Sequence, residues 1–389
     1  MLYFLSTFLL IYLGGASCYM LVFALASKYK TIQIPQKNNS SYSNIAILIA
    51  AYKEDDIILD TVQKALSQNY NKSSYEIIVI ADSLQAQTIV ALQAMACTLI
   101  QVSFEKSTKA KAINKALSVI PAHHYDLAIL LDADNVMESD YLLKVNDAFQ
   151  QRNLLVAQTQ RVAKNNNSDV AILDGLSEAI NNTIYNLGHQ KLGLSGRLMG
   201  SGMVFRYNLF RAFMQNINAI GGFDKELELE LIKNRIKIHY LPNLRVYDEK
   251  VSNLSVFKNQ RRRWIAAQFY YCKRYLGTAI WAFIRRGQID FFNKSIQMLL
   301  PPRLLMTGFL LLSTILHFIV NGILAKYWFV ALTLNLFANL LAIPKTYYQK
   351  STLQALLYIP KVWGAMFLIL FKLKGANKQF IHTPHSHQN

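Results

Sequence analysis

Cysteine is nearly missing: three residues in 389, Cys18, Cys97 and Cys272, scattered and without a C-x-x-C pair. That excludes a zinc ribbon and a disulfide framework, and it fits a reduced compartment. Phosphate-binding glycine fingerprints are missing too. Neither G-x-G-x-x-G nor G-x-x-x-x-G-K-[ST] occurs, so neither a dinucleotide motif nor a P-loop can be claimed. Acids are few, 23 Asp and Glu against 41 Lys and Arg, which leaves a net charge of +18. Such a charge suits nucleic acid. Much of it, however, lies in 258–286 and between apolar segments, so anionic headgroups and a phosphate-bearing substrate account for it and nucleic acid is not expected as a partner. Charged residues make up only 16% of a chain that is 52% hydrophobic, too apolar for an ordinary soluble protein.

The apolar excess is localised. Residues 1–26 carry no charge, and at about 1.5 Å per helical residue they span the roughly 30 Å hydrocarbon core of a bilayer. Lys28 and Lys30 follow this run instead of preceding it, which argues a retained anchor over a signal peptide and puts Lys28 on the cytoplasmic side. Two more spans are expected at 304–320 and 323–343. A third piece, 353–371, is broken by Pro360-Lys361 and reads as re-entrant or interfacial. The expected plan is an anchor (1–27), a linker (28–43), a cytoplasmic domain (44–264), interfacial amphipathic helices (265–302), membrane helices (303–372) and a basic tail (373–389). That describes a multi-pass protein of the cell membrane with its main domain in the cytoplasm.

Between the apolar ends the pattern alternates. Ile45-Ala-Ile-Leu-Ile-Ala50, Glu76-Ile-Ile-Val-Ile80, 97–102 and 127–131 read as buried strands, and 55–68 reads as a helix between the first two. Such alternation argues a mainly parallel sheet with helices on both faces. Three of these strands run out into Glu54, Asp82 and Asp132-Ala133-Asp134. Acids at successive carboxyl ends describe a nucleotide crevice better than a packed core. Asp132 and Asp134 point the same way, so they can converge on one hard cation, Mg²⁺ or Mn²⁺, with a diphosphate as co-ligand. For an isolated D-x-D, a plain turn or helix cap is the other reading.

A helix is expected around 174–187, followed by Gly200-Ser201-Gly202, where glycine lets backbone approach a ligand closely. Gly221-Gly222-Phe223-Asp224 opens a Glu/Leu-alternating segment that imitates a strand. Leu229, Ile232 and Ile236 together with strong helix formers make it a helix instead, with Asp224 as N-cap. A strand at 236–241 is expected to stop at Pro242. On charge alone, Gln260-Arg261-Arg262-Arg263-Trp264 is a basic juxtamembrane face. The adjoining Trp, and the match of Arg forks to diphosphate oxygens, give it a ligand-binding reading as well.

In this order the segments resemble the membrane-embedded inverting glycosyltransferases of family 2, the group containing cellulose, hyaluronan, chitin and poly-N-acetylglucosamine synthases. Ala51-Tyr52-Lys53-Glu54 is similar to that family's A-Y-N-E, Lys109-Ala-Lys-Ala-Ile-Asn114 to K-A-G-A-L-N, and Asp132 and Asp134 to its D-x-D. Gln260, Arg263 and Trp264 fill Q-x-x-R-W. The resemblance implies an α/β, GT-A-like nucleotide-binding domain with membrane helices at both ends. It also implies inverting transfer of a sugar from a UDP-type donor to a growing polysaccharide or a lipid-linked acceptor. Tyr52, Glu54, Asp82, Lys109 and Asp132 would hold the donor, Asp132 and Asp134 the Mg²⁺ or Mn²⁺, and Gln260, Arg263 and Trp264 the acceptor and diphosphate. The family's acidic pair falls here on Phe223-Asp224, counted back from Tyr240-Leu-Pro242, so its first acid is missing. Asp224 is the expected base and Glu226 the reserve. The alternatives are non-processive transfer of one sugar to a lipid, and a catalytically silent nucleotide-binding scaffold that the missing acid would suit. Implied partners are the donor, the acceptor, the bilayer and an export or accessory subunit.

Overall fold

The computed structural model describes residues 2–29 and 41–373, so most of the expected linker and nearly all of the basic tail lie outside the described residues. Helix α1 (Leu2–Ala26) is followed by β1 (Ile45–Tyr52), α2 (Ile58–Leu66), β2 (Tyr75–Asp82), α3 (Ala86–Gln93), β3 (Thr98–Val102), α4 (Lys109–Val119) and β4 (Leu127–Asp132). Next come β5 (Val136–Met137), α5 (Tyr141–Arg152), β6 (Val156–Ala163), α6 (Asp169–Asn181), a π-helical stretch Asn182–Gly188, α7 (His189–Lys191), β7 (Met203–Arg206), α8 (Tyr207–Met214), α9 (Phe223–Lys233) and β8 (Ile238–Asp248).

The eight strands form one sheet in the order β3-β2-β1-β4-β7-β6-β8-β5. β1 runs parallel to β2 and β4, β2 to β3, and β6 to β8. β7 is antiparallel to both β4 and β6, and β5 is antiparallel to β8. The central strands are apolar on both faces because both are covered. Leu48, Ile80, Leu130 and Phe205 belong to one core, and Ile47, Val79, Leu131 and Val204 to the other. Since β1, β2 and β4 are parallel and in register, with Tyr52 opposite Asp82 and Ala50 opposite Asp132, their carboxyl ends open on one edge.

Three local expectations are corrected. Helix α2 starts at Ile58 instead of 55, because the Asp55 carboxylate accepts the Gln85 N–H (2.8 Å) and is committed to the start of α3. Strand β8 does not stop at Pro242 but continues to Asp248, a register shift between Thr159 and Gln160 taking 242–244 out of the ladder that proline cannot donate to. The N-cap of α9 is Gly222, at φ +67°, and Asp224 is the helix's second residue. A left-handed cap is glycine's position.

Beyond the sheet lie α10 (Leu254–Arg286), α11 (Ile289–Gln297), α12 (Arg303–Ile319), α13 (Ala325–Ala342), α14 (Lys350–Leu356) and α15 (Ile359–Leu370). Among the described residues two helices, Tyr3–Ala26 and Ala325–Ala342, are long and apolar enough to cross a membrane. At 17 residues α12 is shorter, while α14 and α15, bent by 49°, count as a third span if taken together. Helix α10 runs without a break through residues 264 and 265, where the domain was expected to end. α1 and α13 share a core of Leu13, Met20, Ala24, Trp328, Ala331 and Leu332. α1 also docks on the π-helical stretch, so closely that a Cβ on Gly188 would lie 2.2 Å from the Phe23 carbonyl oxygen.

Candidate active site

Several chain segments meet at the carboxyl edge of the sheet. Tyr52 and Asp82 end neighbouring strands. The next residue on each, Lys53 (φ +57°) and Ser83 (φ +58°), is left-handed, a conformation that costs non-glycine residues energy and gathers at functional sites. Asp82 is buried, its carbonyl accepts the Lys53 N–H (3.1 Å) and its carboxylate accepts the Ser83 hydroxyl (3.0 Å).

The D-x-D turn is braced at each residue. Asn135 accepts the Asp132 N–H (3.1 Å) and donates to Asp134 Oδ1 (2.9 Å), and it also receives the hydroxyl of buried Ser201. Thr61 Oγ1 donates to the Ala133 carbonyl at 2.5 Å. Asp134 Oδ2 accepts the backbone N–H of Glu249 (3.0 Å). Asp132, with a side chain 38% exposed, is ion-paired to Lys109. Thr108, the N-cap of α4, places that lysine at the helix start by accepting the Lys111 N–H (3.2 Å).

Lys109 Nζ also donates to the Gly200 carbonyl (2.8 Å) and stands 5.3 Å from the ring centroid of Phe223. Gly200, at φ +79°, comes so near α9 that a Cβ on it would lie 4.0 Å from Asp224 Cγ. The loop glycine is thus near Asp224 on one side and bonded through its carbonyl to Lys109, the partner of Asp132, on the other. Burial, together with the charges of Asp134, Asp132 and Glu249, pushes Glu54 up to about 8, which places Glu54 in the same crowd of acids.

Glu226 is not part of this cluster. It is buried, and its Oε1 accepts from Arg274 Nη1 of α10 at 2.5 Å. Burial raises its pKa against the opposing Arg274 charge. Gln260, Arg263 and Trp264 occupy the first third of α10. Gln260 Oε1 is buried without a hydrogen-bond partner among the described residues, burial lowers the Arg263 pKa, and Trp264 is 45% exposed. Arg261, which the sequence did not single out within this motif, lies over the Trp264 ring (4.2 Å) and is ion-paired to Asp174 of α6. The sequence also missed the Glu249 amide and the Gly200 carbonyl. Main-chain groups leave no trace in residue identity, although the Gly200-Ser201-Gly202 run marked the second place.

Among the described residues, no three His, Cys, Asp or Glu side chains close into a cage for a metal. Asp132 and Asp134 suit Mg²⁺ or Mn²⁺ in the open manner such ions prefer, with one or two carboxylates completed by phosphate oxygens and water. Burial first and the neighbouring carboxylates second raise Glu54, and a nearby cation relieves the second of these, so the residues fit the ion.

A sheet with this strand order and an acid pair at its open edge is a GT-A-type domain. A mannosyltransferase from Pyrobaculum calidifontis, solved with GDP-Man and Mn2+, superposes with a TM-score of 0.55 at 14% identity, covering 88% of this chain and 97% of that one. Residues 43–267 match the family described as "Glycosyltransferase like family 2", and the chain belongs to it. Similar curated proteins include a beta-monoglucosyldiacylglycerol synthase of Trichormus variabilis, 24% identical over 244 residues, or 60% of this chain and 50% of that one. A poly-beta-1,6-N-acetyl-D-glucosamine synthase of Staphylococcus aureus is 30% identical over 142 residues, 36% of this chain and 33% of that one. The chain thus matches about half the length of the first of these relatives and a third of the second.

Proposed function

We propose that this protein transfers a sugar from a UDP-type donor to an acceptor hydroxyl at a membrane, inverting the anomeric carbon in one displacement. The observation that carries the reading is the convergence of Lys109, Asp132, Gly200 and Asp224 at the edge where Tyr52, Glu54 and Asp82 also end. The nucleoside lies against Tyr52, Glu54 and Asp82. Asp132 and Asp134 hold Mg²⁺ or Mn²⁺, which when bound offsets charge on the diphosphate. Lys109 adds a positive charge where the leaving phosphate becomes more negative, so it stabilises the transition state more than the bound donor. Asp224 takes the proton of the acceptor hydroxyl as that oxygen attacks from the face opposite the leaving group. Arg263 serves the diphosphate. Gln260, with its buried and unpartnered carbonyl, and the half-exposed Trp264 serve the acceptor.

The two apolar helices support a membrane location, and a multi-pass arrangement is part of the proposal. The acceptor is a lipid or a growing polysaccharide. Of the two curated relatives described above, the one matched over more residues is named for glycolipid synthesis, which favours single transfer to a lipid. Purified protein in lipid nanodiscs, offered several UDP-sugars with Mn²⁺, should release UDP from one of them and label a lipid or polymer with its sugar. Release from none of the donors, with the fold intact, would leave the silent scaffold as the better reading.

A further inference from the structure

Behind the acid pair lies an ion network that the proposed chemistry leaves unused. Lys250 Nζ stands 2.8 Å from Asp248 Oδ1 and 3.0 Å from Glu178 Oε2. Arg161 pairs with Asp248, and its Nε lies 3.6 Å from Glu178 Oε1. The side chains of Asp248 and Lys250 are each 3% exposed. These two cations and two anions sum to zero, and the Arg261–Asp174 pair extends the set to α10 without changing the sum. Burying so many charges is a poor route to stability, since desolvation tends to cancel their attraction and an apolar set of similar volume does as well.

The network's outlets lead to the acid pair. Glu249, between Asp248 and Lys250 in the chain, gives its N–H to Asp134 Oδ2 (3.0 Å). Arg161 Nη1 donates to the Met199 carbonyl (2.6 Å), one residue before the glycine whose carbonyl receives Lys109, the partner of Asp132. The end of β8 is pinned on its backbone as well. The Asp248 carbonyl accepts the Lys164 N–H (2.8 Å), and Asn165 accepts the Lys250 N–H (2.6 Å) and donates to the Lys250 carbonyl (3.0 Å).

We propose that Arg161, Glu178, Asp248 and Lys250 are positioning residues that hold the Glu249 amide and the 199–200 loop, and through them the orientation of the Asp134 and Asp132 carboxylates. This rests on reading those two carboxylates as the metal side of the site. Outer partners that orient ligands are worth about 10- to 100-fold in metal affinity, and an effect of that size is expected here.

The test is Mn²⁺ binding in the presence of UDP, followed by the EPR signal of free Mn²⁺, on the full chain in nanodiscs. Glu178→Gln/Lys250→Met removes one charge of each sign, so no lone buried charge is created. It should bind Mn²⁺ about 10- to 100-fold more weakly while its circular dichroism stays that of the unaltered protein, and it should raise the donor KM. Lys250→Arg, which keeps the charge, should keep most of the affinity, whereas a purely structural role predicts that the folded double variant binds Mn²⁺ like the unaltered protein. Asp134→Asn serves as the reference. Affinity lost in Asp134→Asn but unchanged in the folded double variant would overturn the network's role alone. No Mn²⁺ binding by the unaltered protein with UDP would overturn the metal reading and this proposal with it. If Lys250→Met by itself fails to fold, the neutral double variant and Lys250→Arg still decide the matter.

Discussion

Asp224 and Glu226 sit two residues apart at the start of α9, in opposite surroundings. Asp224 lies beside Gly200, whose carbonyl accepts from Lys109, whereas Glu226 is buried against Arg274. Asp224→Asn should therefore lower kcat by about 10²- to 10⁴-fold and leave the donor dissociation constant nearly unchanged. Glu226→Gln should keep activity within a few-fold and cost about 1 kcal/mol in thermal denaturation, since Arg274 is half exposed and solvent screens the pair. A dead Glu226→Gln beside an active Asp224→Asn would reverse the assignment. Asp132→Asn or Asp134→Asn should abolish Mn²⁺-dependent turnover, and full activity in either would count against the metal role. The sequence showed Asp82 and Asp132 as strand-end acids because each follows an apolar run directly, with Asp134 two residues beyond Asp132. It could not show that Phe223, at the place of the missing family acid, lies beside Lys109 and leaves that lysine's charge to Asp132. Ring and ammonium meet across about 110 residues of chain, and no local pattern carries that contact.

At the scale of elements, the strands were legible because runs such as Ile45-Ala-Ile-Leu-Ile-Ala50 are buried on both faces and leave little choice of structure. Their boundaries were less so. Pro242 reads as a stop, yet a bulge carries β8 six residues further, and those six lead to the Glu249 amide on which Asp134 depends. The contact between the N-terminal apolar helix and the domain was equally hidden, since Gly188 gives no sign in sequence that it faces the backbone of α1. Gly188→Ala forces its methyl against the Phe23 carbonyl and should cost about 1–3 kcal/mol, read as a lower Tm in detergent. An unchanged Tm would mean that α1 does not pack there.

For the whole molecule, burial makes its own pH signature. Lys294 of α11 is fully buried, and burial lowers it from 10.5 to about 8 against the pull of Glu228 and Asp290. Below pH 8 both states carry its proton, and the penalty for burying the charge is present in full. Between pH 8 and 10.5 the unfolded chain holds a proton that the folded chain has released, so stability rises with pH by up to about 1.4 kcal/mol per unit. Thermal denaturation at pH 7.5 and 9.5 should show the unaltered protein gaining on Lys294→Met, and parallel curves would contradict the assignment. In the proposed reaction, acids far apart in the chain act together on one nucleotide-bound sugar at the membrane. Single-turnover transfer from a labelled UDP-sugar in nanodiscs tests it most directly, with the unaltered protein and Asp224→Asn compared at equal donor occupancy. The unaltered protein should move the label to an acceptor in inverted configuration while Asp224→Asn holds the donor unreacted. Equal transfer by both, or retained configuration in the product, would contradict it.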